Sequence, residues 1–197
     1  MARRLPEPVE VPWGLRIEVG QPAQAVRHVL LDPDAALAHG LIGTVTEPAT
    51  WIKAFLPTDE MEPWFPSAWE PADPCFLMTA DLRPSRVQPP DGYTVTVETA
   101  DGVTDVRVLG ADGELAAVGL TGLADGACVF DQIVTEPAHR RRGLGTVVMA
   151  ALADAAVESG VSAGILGATV QGRALYEALG WKVLSPLNGF VYRPVPS

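Results

Sequence analysis

Between Thr135 and Thr146 the chain reads Thr-Glu-Pro-Ala-His-Arg-Arg-Arg-Gly-Leu-Gly-Thr. Three consecutive arginines followed by two closely spaced glycines are residue types suited to holding an anion. The apolar run Cys128–Val134 precedes this stretch and a helical pattern follows it, so the order reads as strand, basic turn and helix start. Such a turn aims free backbone N–H groups, and the positive end of a helix dipole, at one small volume. Gly143 and Gly145 have no Cβ, so an anion can approach the backbone closely. The site suits a diphosphate. A dinucleotide fingerprint would want a third glycine at position 148, where this chain has Val148, and a parallel βαβ setting that the preceding hairpins do not provide.

The elements that must position this turn can be read on both sides of it. After Gly145, the apolar residues Val147, Val148, Leu152 and Ala155 recur at helical spacing, and Gly160 supplies a stop. Val161–Ala168 reads as a strand, Gln171–Leu179 as a helix ending at Gly180, and Trp181–Leu184 and Gly189–Arg193 as two further strands. Before the turn, Tyr93–Thr99, Thr104–Leu109, Leu115–Leu123 and Cys128–Thr135 form an antiparallel set. Asp101-Gly102 and Asp112-Gly113 are its hairpin turns.

The phosphate turn and the later phrase Gly172-Arg173-Ala174-Leu175-Tyr176-Glu177-Ala178-Leu179-Gly180-Trp181 stand in an order and at a separation that resemble the GNAT superfamily of N-acyltransferases. The resemblance covers about residues 92–194. It implies an α+β fold of three layers, with a mixed, mostly antiparallel central sheet flanked by helices. It also implies an acyl-CoA donor, with acetyl-CoA the expected one. Ile133, Val134 and Thr135 would meet the thioester and pantetheine through their backbone, and Arg140, Arg141, Arg142, Gly143, Leu144, Gly145 and Thr146 would hold the diphosphate. Thr169 stands where many members carry asparagine, which shortens its reach to the cofactor. Tyr176 matches the tyrosine that protonates the leaving CoA thiolate. The expected reaction is transfer of an acetyl group to a primary amine by direct attack in a ternary complex. The alternative is an acyl-CoA-binding domain without catalysis.

The general base is less marked. In a regular strand Asp131 shares parity with Ile133 and Thr135, so a carboxylate there would reach the amine through a water. A bulge in the strand would reverse that parity. Glu98 and Glu136 stand behind it. Cys128 lies too far back in its strand to serve as a nucleophile. His139 reads as exposed beside three cations, a setting that discourages its protonation.

The amino-terminal part resists the same treatment. Residues 1–13 read as a loose lead-in, Gly14–Val19 as a strand and Gln21–Ile42 as a helix broken at Asp32-Pro33. Trp51–Leu56 and Phe76–Leu82 read as strands, Thr58–Phe65 as a short helix with an acidic first turn, and Pro84–Gly92 as a linker. Residues 1–85 are thus expected to form an additional α/β segment and residues 86–197 the acyl-CoA-binding core. The family places two helices between its first and second strands, where they shape the acceptor site. Here that interval holds only a turn near Ala100–Val103. The amino-terminal segment is therefore expected to supply the acceptor wall, with Trp51, Trp64, Phe65, Trp69 and Met78 as candidates for its apolar lining, each of which reads alone more readily as part of a small core of that segment.

Composition bounds the remaining classes. The net charge of −10 divides evenly between residues 1–90 and 91–197, which argues against nucleic acid as partner and is compatible with a cationic acceptor. Cys75 and Cys128 show no metal-like spacing, so no metal is expected. Without a signal peptide or a long apolar span, the expected setting is cytoplasmic and away from membranes. The acceptor is a small-molecule or peptide amine, and the resemblance admits a homodimer.

Overall fold

A computed structural model describes residues 7–124 and 126–194. In chain order the elements are β1 (Val9–Val11), β2 (Gly14–Gln21), β3 (Gln24–Leu30), α1 (Ala35–Ile42), β4 (Thr50–Ala54), α2 (Thr58–Met61), β5 (Trp69–Pro71), β6 (Cys75–Asp81), β7 (Tyr93–Ala100), β8 (Val103–Gly110), β9 (Leu115–Ala124), β10 (Ala127–Thr135), α3 (Leu144–Glu158), β11 (Ala163–Thr169), α4 (Val170–Ala178), β12 (Lys182–Pro186) and β13 (Asn188–Tyr192). The fold is α+β, with two mostly antiparallel sheets. The described parts of Met1–Leu77 and Ser185–Ser197 form one compact unit, and Met78–Leu184 forms the other. The border falls inside β6 rather than in the Pro84–Gly92 segment, and β13 belongs to the first unit.

The first unit holds a six-stranded sheet in the order β1-β2-β3-β4-β13-β5. Two sequence expectations are corrected here. Val9–Val11, read as lead-in, pairs antiparallel with β2, whereas residues 1–6 of that lead-in lie outside the described residues. Gln21–Ile42, read as one broken helix, is strand β3 followed by α1. In β3 the buried residues Val26, His28 and Leu30 alternate, which is the period of a strand half-buried on one face. The histidine among them hid the pattern. Asp34 caps α1 by accepting the Leu37 N–H at 2.8 Å. Leu30, Leu41, Ile52, Met61, Trp69 and Phe190 form the core of this unit, and Phe65 stacks on Phe190 with centroids 4.1 Å apart. Trp64, Phe65 and Trp69 are thus accounted for as core, while Trp51 donates its indole N–H to the Ala23 carbonyl at 2.8 Å.

The second unit carries a seven-stranded sheet in the order β12-β6-β11-β10-β9-β8-β7. Asp101 and Gly102 both adopt positive φ, as the two-residue hairpin between β7 and β8 requires. No helix enters that interval. Met78, read as lining or as core of the amino-terminal segment, is fully buried in this second unit. Along α3, Leu144, Val147, Val148 and Leu152 are buried. At Gly119 of β9 a Cβ would come within 2.5 Å of Val148 Cγ1 and 2.6 Å of Ile133 Cδ1. The missing side chain therefore lets helix and sheet close on each other.

His28 makes the stability of the first unit depend on pH. Trp13 Nε1 donates to His28 Nδ1 at 3.1 Å, and the imidazole is only 5% exposed. Burial, aided by the Arg16 cation and opposed by Glu18, lowers its pKa from 6.5 to about 4. As pH falls below 6.5 the unfolded chain takes up this proton before the folded one does, so the unfolded state gains. The contribution of neutral His28, about 3 kcal/mol for such a shift, is complete above pH 6.5 and lost progressively toward pH 4. Denaturant titrations at pH 7.5 and pH 4 should show the loss in the wild type and a smaller one in His28→Gln, which keeps an acceptor for Trp13 but does not titrate. Equal losses in both proteins would exclude His28 as the source.

Candidate functional site

Strands β10 and β11 run parallel and in register from Ala127 opposite Ala163 to Phe130 opposite Leu166. There the pairing ends, although β10 continues to Thr135 and β11 to Thr169. On its other edge β10 slips register against β9 between Asp131 and Val134. Gln132 sits in the slip at φ 53°, a conformation that costs a residue with a Cβ roughly 1–2 kcal/mol. This is a β-bulge. Asp131 eases it, because Oδ1 accepts the Gln132 N–H at 2.8 Å and replaces the ladder partner. Cys128 and Phe130 are buried before the bulge, whereas Ile133 and Thr135 are the half-buried residues after it. Asp131 consequently stands with the exposed set, opposite in parity to Ile133 and Thr135. The regular-strand expectation is corrected on that point.

The parted strands open a cleft of about 400 Å³. β10 contributes Phe130 to Ile133 and Thr135, β11 contributes Gly167 and Thr169, and α4 closes it with Gln171, Gly172, Leu175 and Tyr176. Gly145, in the first turn of α3, completes the lining. Tyr176 is 7% exposed, and its ring lies 6.2 Å from that of Trp181. A Cβ on Gly172 would come within 3.0 Å of Tyr176 Cε2, so the glycine makes room for the phenol ring. Burial, and then the Asp131 carboxylate, raise the Tyr176 pKa above its ordinary value, which keeps the hydroxyl protonated at neutral pH. Thr169 caps α4 by accepting the Gly172 N–H at 3.1 Å. Its own hydroxyl hydrogen is left to donate elsewhere.

The turn between β10 and α3 joins the cleft through Gly145. Pro137–His139 forms one turn of 3-10 helix, after which Arg141 (φ 63°) and Gly143 (φ 77°) both take the left-handed conformation. Gly143 is the N-cap of the fifteen-residue α3 and supplies no side-chain cap; no acidic residue occupies the first turn. The N–H groups that begin this helix therefore meet neither a capping oxygen nor a carboxylate of their own, and they carry the positive end of its dipole. Arg140 Nε donates to the Thr135 carbonyl at 3.2 Å, so this side chain ties the turn to the strand end. Arg142 Nη1 donates to the Tyr93 hydroxyl at 2.7 Å, and that hydroxyl lies 3.0 Å from His139 Nδ1. His139 is half-buried rather than exposed.

Asp131, Ile133, Thr135, Gly145, Thr169 and Tyr176, all singled out from the sequence, thus meet at one cleft. Arg140, Arg141, Arg142, Gly143, Leu144 and Thr146 build the adjoining turn, with the Leu144 side chain buried in the core. Val134 is 47% exposed and lies outside the lining, as do Glu98 and Glu136. Sequence reasoning missed Gln132, Gln171 and Tyr93. Asp131-Gln132 offered a faint signal, since an aspartate can bond a neighbouring amide; nothing in the sequence pointed to Tyr93. Burial pushes the Cys128 thiol pKa up, which disfavours the thiolate that a nucleophile needs. Among the described residues no group of three or more His, Cys, Asp or Glu could hold a metal ion, and no helix is long and apolar enough to cross a membrane.

Residues 103–183 match the family model described as "Acetyltransferase (GNAT) domain". No curated protein matches the sequence. Among solved structures, the chain resembles a GCN5-related N-acetyltransferase from Kribbella flavida, with TM-score 0.65 and 16% identity over 98% of this chain and 91% of that one. A second, a GCN5-related N-acetyltransferase from Sphaerobacter thermophilus, gives TM-score 0.68 and 12% identity over 93% of this chain and 78% of the other. At these identities the two structures establish a shared fold.

The left-handed turn itself is testable. A Cβ at Gly143 would meet nothing within 4 Å, so Gly143→Ala isolates the backbone conformation from packing. The substitution should cost about 1–2 kcal/mol and lower Tm by roughly 2–8 °C. An unchanged Tm would mean that Gly143 is not held in the left-handed region.

Proposed function

We propose, from the match of residues 103–183 to the GNAT acetyltransferase domain model and from the site described above, that the protein is an N-acetyltransferase moving an acetyl group from acetyl-CoA to a primary amine. The observation that carries this reading is one continuous site: an uncapped α3 N-terminus behind a basic left-handed turn, opening into a cleft between parted strands with Tyr176 in its wall. The residues fit the donor. Open space around Gly143 and the absence of acidic residues in the first turn of α3 suit a diphosphate. The backbone of Ile133 to Thr135, on the unpaired edge of β10, suits an extended pantetheine arm, which can use main-chain groups in place of the missing strand.

Acetyl-CoA, when bound, supplies an activated acetyl group and a thiolate leaving group. The chain's part is to bind, orient and manage protons. Backbone N–H groups after the bulge stabilise negative charge on the acetyl oxygen. Tyr176 holds a proton on Oη. With its pKa raised, it contributes as a fixed donor to the sulfur rather than through strong acidity. Asp131 faces the same cleft and is the base proposed to take the amine proton, directly or through a water. Attack is direct, with no covalent enzyme intermediate. The acceptor is a small-molecule or peptide amine, and the protein works in the cytoplasm without metal.

The hairpin between β7 and β8, in place of any helix, favours a second reading in which the domain binds acyl-CoA without turning it over. One assay separates the two. Release of free thiol from acetyl-CoA should depend on an added primary amine. Tyr176→Phe should lower kcat by about 10²–10³ and leave the KM for acetyl-CoA nearly unchanged. Unchanged turnover would remove Tyr176 from the mechanism, and binding without amine-dependent release across a broad amine panel would favour the second reading. Asp131→Asn should lower kcat by about 10²-fold or more while leaving the KM for acetyl-CoA nearly unchanged; unchanged turnover would end the assignment of the base.

A further inference from the structure

Arg142, Tyr93 and His139 make a contact that the reaction outlined above does not use. Tyr93 opens β7, at the edge of the sheet and forty-six residues before His139. It pairs with Gly110, whose hairpin ends at the same end of the sheet as β10. The His139 ring lies edge-on to the Tyr93 ring, with centroids 5.7 Å apart, and its Cε1 would stand 3.6 Å from a Cβ on Gly110. The imidazole is therefore seated in a fixed place against the sheet.

The hydrogen-bond roles follow from the groups involved. A guanidinium only donates, so the Tyr93 oxygen accepts from Arg142 Nη1 at 2.7 Å. The phenol then has its own hydrogen to give, and His139 Nδ1, 3.0 Å away, accepts it when the imidazole is neutral with its proton on Nε2. One oxygen thus holds residues 139 and 142, and between them lies Arg141 in its left-handed conformation. This contact spans the part of the turn that an unbraced chain would relax. Arg142 keeps further N–H donors beyond the one given to Tyr93.

We infer that Tyr93 is a positioning residue for the diphosphate of the ligand: its hydroxyl pins His139 and Arg142 so that the turn presents its amides and the Arg142 guanidinium already ordered. The inference rests on the reading of the turn as a coenzyme A site. Ordering the turn before the ligand arrives removes part of the entropic cost of binding. Loss of a hydrogen bond to a charged donor should weaken coenzyme A binding by about tenfold.

The test compares coenzyme A with pantetheine, which lacks the diphosphate, on the wild type, Tyr93→Phe and His139→Gln, using NMR titration to reach weak affinities. Tyr93→Phe should weaken coenzyme A binding about tenfold, leave pantetheine binding unchanged, and keep kcat at saturating acetyl-CoA within about twofold. Gln at 139 still offers an acceptor and should preserve most of the coenzyme A affinity. Equal affinity of wild type and Tyr93→Phe for coenzyme A would overturn the inference while leaving the coenzyme A site intact. Equal weakening of both ligands would also overturn it, by showing a general structural role. A wild type that binds coenzyme A no better than pantetheine would overturn the diphosphate reading itself, and the positioning role with it.

Discussion

The bulge at Gln132 is the constraint on which the rest of the site depends. Two parallel strands that stayed paired would leave no room between them, because neighbouring strands lie only about 4.8 Å apart. β10 and β11 share a register for four residue pairs, and then the slip at Asp131–Val134 turns β10 away. That divergence makes the cleft, exposes the main-chain edge of β10 and sends the chain into the basic turn. It also reverses side-chain parity, so Asp131 and Ile133 fall on opposite faces of the strand and the Ile133 side chain packs toward Gly119. The structure spends left-handed backbone three times within twelve residues, at Gln132, Arg141 and Gly143. Each strained position is held by a neighbour or a missing side chain: the Asp131 carboxylate, the brace on Tyr93, and the open space around glycine.

Charge acts on a shorter scale than the net value suggests. A protein of charge −10 keeps an arginine run just ahead of α3, a fifteen-residue helix that starts without a side-chain cap and without an acidic first turn. Of the three arginines, Arg140 and Arg142 are committed to bonds that shape the turn, with the Thr135 carbonyl and the Tyr93 hydroxyl. The favourable field for an anion then comes largely from backbone amides and the dipole, with the guanidinium groups as fixed frame and supplement. Tyr176 shows the converse. Desolvation and a nearby carboxylate hold its proton on the oxygen.

The carboxyl-terminal unit was readable because its signals are local. Asp-Gly pairs mark its hairpins, Gly160 and Gly180 end its helices, and α3 carries apolar residues at helical spacing. Most residues named for the site meet at one cleft or its adjoining turn for the same reason: they sit at element ends, where sequence punctuation is strongest. What escaped depends on distant partners. In β3 the polar His28 interrupts the apolar alternation that would mark a strand, and only its burial against Trp13 shows why a histidine belongs there. β1 is three residues long and exists only as a partner of β2. The bulge could be admitted from the sequence but not placed, since register is a property of two strands at once. Tyr93 was invisible for a similar reason, being distant in sequence from both side chains it holds.

The parted strands and the left-handed turn are proposed to form one ligand site for acetyl-CoA. Amide chemical-shift mapping of the protein titrated with acetyl-CoA tests it most directly. The largest shifts are expected together at Gln132 to Thr135 and at Arg141 to Thr146, saturating with a single affinity, with smaller changes around Thr169 to Tyr176. Shifts confined to one of the first two segments, shifts centred on the strands of the first unit, or no shift at millimolar acetyl-CoA would contradict it.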